Sequence, residues 1–159
     1  MQALKGKTVL ITGATDGLGK VVAKRAAARG ARLILHGRNR AKGEQLLAEI
    51  RSSAGTEGSV YYNADFASLQ EVHRFGNEVL LNHTALHVLI NNAAIGGGPK
   101  AASGRELSQD GYELRFAVNY LSHFLLTQTL LPLLQASAPS RIANVSSVGQ
   151  SPLDFDDIH

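Results

Sequence analysis

The 159-residue sequence has no cysteine and no tryptophan, only one methionine and four prolines, and no long apolar run. The absence of cysteine excludes disulfide bonds, thiolate nucleophiles and cysteine-ligated metals, and it is compatible with a reducing compartment. The first apolar segment, at residues 9–11, is far too short for a signal sequence or a membrane span. We therefore expect a cytoplasmic protein with no membrane span.

Charge is also sparse: charged residues make up 18% of the chain, and the net charge is +3. Most of the lysine and arginine residues lie within the first 42 residues. A basic cluster can bind nucleic acid, but aromatic platforms and nucleic-acid motifs are missing, so a nucleotide phosphate is the simpler partner. A hydrophobic content of 44% is typical of a globular fold, and we predict a single domain over residues 1–159.

Short apolar runs alternate with segments of helical periodicity. The runs predict strands at residues 8–11, 32–35, 59–62, 86–90 and 142–145. The intervening segments predict helices at residues 18–29, 41–51, 69–81 and 110–135, and a Gly/Pro-rich loop at 96–99 precedes the last. This alternation predicts parallel βαβ units and an α/β fold, a doubly wound parallel sheet covered on both faces.

The last predicted helix is apolar over much of its circumference. One face should pack on the sheet, and the rest needs cover from a partner subunit or from further chain, so we expect a homo-oligomer. Pro132, near the end of this helix, predicts a kink or an early stop.

A glycine-rich loop follows the first predicted strand, and a helix opens directly after it. Glycines allow a tight turn and a close approach of backbone N–H groups to a pyrophosphate, while the helix N-terminus adds a positive dipole end. The loop predicts dinucleotide contacts from Gly13, Thr15, Asp16, Gly17, Leu18 and Gly19. An ordinary glycine-rich βα turn is the alternative, because isolated glycine motifs are common.

The residue that selects the cofactor's ribose is expected about 20 residues further on. The second predicted strand ends in His36-Gly37-Arg38-Asn39, without a carboxylate that could accept from a 2′-hydroxyl. The planar guanidinium of Arg38 suits a 2′-phosphate instead, which favours NADP(H) over NAD(H). The alternative is a solvated surface arginine.

Four segments in this order resemble the short-chain dehydrogenase/reductase family: residues 12–19, Asn91-Asn92-Ala93-Ala94, Asn119 in Val118-Asn119-Tyr120-Leu121, and Asn144-Val145-Ser146-Ser147. Residues 141–149, followed by 153–157, look most like the retinol-dehydrogenase-like branch. The resemblance spans almost the whole chain. It implies a Rossmann-type sheet with strand order 3-2-1-4-5 and a cofactor at the carboxyl ends of the strands.

The resemblance also implies roles for individual residues near the cofactor. Asp65 would meet the adenine amino group with Phe66 beside the ring, although Asp65 could instead be a helix N-cap. Asn92 and Ala93 would line the nicotinamide ribose. Ala94 stands where the family usually has glycine.

Two further residues would be catalytic by this resemblance. Ser147 would hydrogen-bond the substrate's carbonyl or alcohol oxygen, and Ser146 is the weaker candidate for that role. Asn119 would shape its helix and hold a water in a proton relay. Its alternative role is to cap a local helix defect, because a mid-helix asparagine is otherwise unfavourable.

The family's proton donor, the tyrosine of Tyr-x-x-x-Lys, is missing. Four tyrosines occur, and none has a lysine four residues later: Tyr61, Tyr62, Tyr112 and Tyr120. We therefore expect a domain truncated after strand five and inactive by itself; the alternative is a natural non-catalytic NADP(H)-binding module. A third possibility is that His159 replaces the tyrosine as proton donor. We disfavour it, because a terminal residue is hard to preorganise.

The resemblance implies a parent enzyme that transfers a hydride between NADP(H) and a lipophilic carbonyl or alcohol substrate. No metal is expected. His83 and His87 are four residues apart, but His87 begins a predicted strand, where this spacing no longer places two side chains on one face.

Overall fold

The computed structural model describes residues 3–54, 58–96 and 105–147. This part of the chain contains five strands: β1 (Thr8–Ile11), β2 (Arg32–Gly37), β3 (Val60–Asn63), β4 (Val88–Asn91) and β5 (Arg141–Asn144). The strands are parallel and lie in the order β3-β2-β1-β4-β5. The predicted doubly wound sheet and its strand order are confirmed.

Helices connect the strands on both faces of the sheet. The first three are α1 (Gly17–Ala28), α2 (Arg40–Ala54) and α3 (Leu69–Asn82). After β4, a continuous helical stretch consists of α4 (Leu114–Phe116), a π-helical segment (Ala117–Leu121) and α5 (Ser122–Ala136). In the described part of the chain, no helix is both long enough and apolar enough to cross a membrane.

The long helical stretch begins at Leu114, so the predicted start at residue 110 was wrong. Gly111 has a φ of +83°, which an α-helix does not allow. A hydrogen bond from the Ser108 N–H to the Tyr112 carbonyl closes a turn before the helix. The Glu113 carboxylate then accepts from the N–H of Phe116 at 2.8 Å and caps the first turn. Local turn chemistry therefore prevails over apolar periodicity in these residues.

The helix also continues past Pro132 to Ala136, so the expected early stop does not occur. Residues 97–99 of the predicted glycine/proline loop, and His159, lie outside the described residues.

The alternation of side chains along the strands divides the core into two layers. Leu10 and Ile34 point to one face, where they pack with Phe75 of α3 and with leucines of α5. Val9, Ile11, Leu33 and Leu35 point to the other face, against the alanines of α1 and against Leu46 and Ile50 of α2. Because both faces are covered, the central strands are buried, and their carboxyl ends are held rigidly in one row.

Candidate functional site

An open cleft of about 1210 Å³ lies at the carboxyl ends of the strands. The chain passes from β1 to β2 on one side of the sheet and later returns to β4 on the other side. In open parallel sheets, ligands bind at such a reversal of direction. The cleft exceeds the roughly 300–1,000 Å³ of common small-molecule pockets, so it can take an elongated ligand.

The structure brings eleven of the predicted site residues together around this cleft. They are Gly13, Thr15, Asp16, Gly17, Leu18, Gly19, Arg38, Asp65, Phe66, Asn92 and Ala93. The two predicted catalytic residues, Asn119 and Ser147, are not among the described residues that line it. The parts of the cleft come from the loops after β1, β2, β3 and β4 and from the start of the long helix.

The glycine loop leaves no room for side chains at two of its positions. Gly13 has a φ of +62°, and a Cβ there would lie 2.7 Å from the Ala93 Cα. A Cβ on Gly19 would collide with the Gly13 carbonyl oxygen and would lie 2.6 Å from the Asn92 Nδ2. Glycine is therefore needed for the loop to pack against the end of β4. This bare backbone, at the N-terminus of α1, suits a pyrophosphate.

Thr12 joins the glycine loop to the end of β4. Its hydroxyl accepts the backbone N–H groups of Asn92 at 2.8 Å and Ala93 at 2.9 Å. The Asn92 side chain returns a bond to the Thr12 carbonyl at 2.9 Å and a second to the Gly13 carbonyl at 3.1 Å. Two segments about 80 residues apart thereby form one wall of the cleft. Ala94, where glycine is usual in the resembling family, is exposed at the same wall.

Arg38 lies directly after β2, and its side chain is exposed at the cleft. Lys42, in the first turn of α2, lines the same corner and was not singled out from the sequence. The Lys42 Nζ lies 2.9 Å from the Asp16 Oδ2. This hydrogen bond is the main reason that the pKa of Asp16 lies below its ordinary value. The corner therefore offers two cations, of which Lys42 is paired with a carboxylate.

Asp65 does not cap a helix, so that alternative was wrong. Helix α3 begins at Leu69, and its N-cap is Ser68, whose hydroxyl accepts from the N–H of Glu71 at 3.4 Å. The Asp65 carboxylate instead accepts the Ala67 N–H at 3.0 Å and closes a tight turn ahead of the helix. A serine directly before the first helical residue outcompetes an aspartate three positions earlier, because capping geometry is strictly local.

A histidine that sequence reasoning missed lies beneath the floor of the cleft. His36 is 2% exposed, and its ring stacks on Phe66 with centroids 4.1 Å apart. Its Nε2–H donates to the Ala64 carbonyl at 3.0 Å, which leaves Nδ1 to accept the Gly13 N–H at 3.4 Å. Burial lowers the pKa of His36 from 6.5 to about 4. The only signal in the sequence was a histidine inside an apolar strand.

Asn119 is exposed and lies in the π-helical segment. Its side-chain amide accepts the Ile95 N–H at 2.9 Å and donates to the Ile95 carbonyl at 3.1 Å. It thus holds the backbone after β4, and neither of these two bonds caps the π-helical segment in which it lies. Ser147 is exposed, and its carbonyl accepts the Ser146 hydroxyl at 3.4 Å.

His83 and His87 make separate contacts. His83 Nε2 lies 3.0 Å from the Tyr62 hydroxyl, and the His87 Nδ1 accepts from the Thr8 N–H at 3.0 Å. Within the described ranges, no group of three or more histidine, cysteine, aspartate or glutamate residues could hold a metal ion.

Comparison with known proteins gives consistent matches. A family model described as short chain dehydrogenase matches residues 7–153. Human retinol dehydrogenase 11 is 42% identical over 145 residues, which are 91% of this chain and 44% of that protein. Mouse retinol dehydrogenase 14 is 44% identical over an alignment of 154 positions, which covers 91% of this chain and 45% of that protein. The chain thus spans less than half the length of these relatives.

Solved structures agree with these matches. A metagenomic short-chain oxidoreductase in complex with NADP has a TM-score of 0.77 to this chain at 27% identity. The match covers 94% of this chain and 66% of that one.

Proposed function

The chain belongs to the short-chain dehydrogenase family, and on that premise we propose that it forms the cofactor-binding part of an NADP(H)-dependent oxidoreductase. The proposed reaction is hydride transfer between the nicotinamide and a carbonyl or alcohol. The observation that carries the proposal is the glycine loop at the N-terminus of α1, packed without side chains at Gly13 and Gly19 against the end of β4, next to the cations of Arg38 and Lys42. Bare backbone N–H groups suit the pyrophosphate, and the cations suit a 2′-phosphate.

Other cleft residues fit the rest of a dinucleotide. The Asp65 carboxylate, oriented by its turn, would accept from the adenine amino group, with Phe66 against the ring. Asn92 and Ala93, held by Thr12, would line the nicotinamide ribose. When bound, the cofactor supplies the hydride chemistry, while the protein orients it and handles the proton.

On the substrate side, we propose Ser147 as the hydrogen-bond donor to the substrate oxygen. Asn119 would keep the segment around Ile95 in place beside the nicotinamide. The relatives named retinol dehydrogenase suggest a lipophilic alcohol or aldehyde as the substrate of the whole protein.

A second candidate function is that of an NADP(H)-binding module without catalysis. The observation that favours it is the lack of any Tyr-x-x-x-Lys in the 159 residues. Both functions require NADP(H) binding, so a measurement of catalytic turnover distinguishes them.

The experiment that tests binding is a fluorescence titration with NADPH and with NADH. We expect tighter binding of NADPH, and Arg38→Ala should weaken it by about 1–3 kcal/mol, the contribution of a charge-assisted hydrogen bond. Arg40→Ala is the matched control, because Arg40 is an exposed arginine two residues away that does not line the cleft. Equal affinities of the unaltered chain for NADPH and NADH would contradict the NADP(H) preference.

A further inference from the structure

His123, on α5, connects two parts of the candidate site that are distant in the sequence. Its Nδ1 lies 3.2 Å from the backbone carbonyl of Asn119, and its Nε2 lies 3.3 Å from the Thr12 hydroxyl oxygen. The side chain is largely buried, and the ring of Phe66 meets it edge-on, with the two centroids 5.7 Å apart. No role was predicted for this residue from the sequence.

The hydrogen bonds of the Thr12 hydroxyl limit what His123 can do there. A hydroxyl has two acceptor lone pairs and one hydrogen. Both lone pairs are used, because the oxygen accepts the N–H groups of Asn92 and Ala93. Only the hydrogen remains, and it can reach the His123 Nε2 or the Ile90 carbonyl at 3.4 Å. The Ile90 carbonyl also accepts the backbone N–H of Thr12, and its second lone pair competes with the His123 Nε2 for this hydrogen.

These contacts select one form of the imidazole. A backbone carbonyl only accepts, so the Nδ1 that faces Asn119 must carry a hydrogen. In the neutral ring, Nε2 is then an acceptor, which matches the remaining hydrogen of Thr12. In an imidazolium, Nε2 would also carry a hydrogen and would point it at an oxygen with no free lone pair. The neutral ring satisfies this network and the charged ring disrupts it.

We propose that neutral His123 is a positioning residue that orients the Thr12 hydroxyl, and thereby holds the backbone of Asn92 and Ala93 at the cofactor cleft. Its Nδ1 bond to Asn119 ties the π-helical segment to the same network. The inference rests on the proposed function for its ligand, since these two backbone groups would line the nicotinamide ribose.

The surroundings of His123 favour the neutral form. Burial lowers the pKa of His123, and the hydrogen bond to Asn119 opposes this only in part. The titratable group that interacts with it is His36 on β2, on the other side of the Phe66 ring. His36 is itself kept neutral by burial, with a pKa of about 4, so it carries no charge above about pH 5.

The first test needs no ligand. Amide hydrogen exchange, followed by NMR and corrected for the intrinsic effect of pH, measures protection at Asn92 and Ala93. In the unaltered chain, protection should fall by about tenfold, the loss of one hydrogen-bond contact, as the pH is lowered from about 8 to below the pKa of His123, which burial holds under its ordinary value. His123→Gln can still donate and accept but does not titrate, so it should lose less protection across this range than the unaltered chain. His123→Leu should have low protection at every pH.

The second readout is the dissociation constant of NADPH over the same pH range. The 2′-phosphate of NADPH also titrates in this range, because the second pKa of a phosphate monoester is about 6. This titration is common to all variants, so it cancels in the ratio of the dissociation constants of the unaltered chain and of each variant. The affinity of the unaltered chain should fall relative to His123→Gln as the pH falls. His73→Gln, on the exposed face of α3, is the matched control and should behave like the unaltered chain.

The two readouts separate the possible failures. Identical exchange profiles in the unaltered chain and in His123→Gln would overturn the role of His123, whatever the cofactor does. If protection at Asn92 and Ala93 depends on pH as expected but NADPH does not bind at any pH, the proposed function is contradicted instead. If His123→Leu fails to fold, the comparison with His123→Gln still decides the question.

Discussion

Several polar side chains of the candidate site hold its walls together through hydrogen bonds. His36, Thr12 and Asn92 use their hydrogen bonds to join the ends of β1, β2, β3 and β4. A buried polar group without a partner costs about 1–3 kcal/mol, so each of these bonds favours one arrangement of the strand ends. The shape of the cleft is therefore set in part by hydrogen bonds between its own polar side chains and the strand ends.

His36 should make the folded chain sensitive to acid. Its pKa is about 4 in the folded chain and near 6.5 when unfolded, so between these values the unfolded chain binds a proton that the folded chain does not. Stability should be unaffected by this group above about pH 6.5 and should fall as the pH drops toward 4. The total loss is about 3 kcal/mol, from 1.36 kcal/mol for each pKa unit.

Urea denaturation at a series of pH values measures this effect. The difference in unfolding free energy between the unaltered chain and His36→Gln isolates the contribution of His36 from the other histidines. His73→Gln, at an exposed position, should leave the pH dependence unchanged. A His36→Gln variant with the same acid dependence as the unaltered chain would refute the assignment.

At the scale of elements, the turn from β1 into α1 is constrained by the end of β4 as much as by its own sequence. Gly19 packs so closely on Gly13 and Asn92 that an added methyl group has no free space. We expect Gly19→Ala to destabilise the chain by about 1–3 kcal/mol through overpacking, and to weaken NADPH binding by displacing the loop.

Thermal unfolding and NADPH titration check this prediction together. Gly96→Ala is the control, because a Cβ at that exposed cleft position meets nothing within 4 Å. It should change stability by less than about 0.5 kcal/mol. If Gly19→Ala behaved like Gly96→Ala, the close approach of loop and strand would be disproved.

For the molecule as a whole, large apolar side chains are exposed both on the long helical stretch and at β5 in the described part of the chain. Tyr120 and Phe124 are 57% and 55% exposed and stack on each other, and Ile142 and Val145, in and just after β5, are 42% and 46% exposed. Among the described strands, β5 pairs only with β4. Contiguous apolar patches and open strand edges promote association.

We therefore expect the 159-residue chain, produced alone, to self-associate at micromolar concentration in sedimentation experiments. Phe124→Lys should shift the distribution toward monomer. Leu81→Lys introduces the same charge at a residue of α3 that is 84% exposed, and it should have less effect. A stable monomer in the unaltered chain would show that this surface needs no partner.

The same chain should bind NADPH without measurable reductase turnover. Without the Tyr-x-x-x-Lys pair, no tyrosine in the sequence has the lysine that would lower its pKa. The missing general acid is worth about 10²–10⁴-fold in rate. NADPH absorbance with a lipophilic aldehyde measures the rate. Steady oxidation that Ser147→Ala abolishes would show that another residue delivers the proton.

The sequence alone was sufficient for the class of fold and for much of the cleft. Apolar periodicity depends on residues a few positions apart, so it located the strands and the first three helices to within three residues of their observed ends. Parallel βαβ units bring the strands' carboxyl ends to one edge, and the glycine loop and Arg38 each follow a predicted strand. The glycine loop and Arg38 therefore meet at one cleft, because each directly follows a strand of the same parallel sheet.

Only the tertiary structure decided which polar groups meet across the sheet. Thr12 pairs with Asn92 across 80 residues and with His123 across 111, and no local pattern encodes either choice. Each outcome depends on which donor reaches an acceptor once the strands and helices have packed, and that geometry exists only in the folded chain.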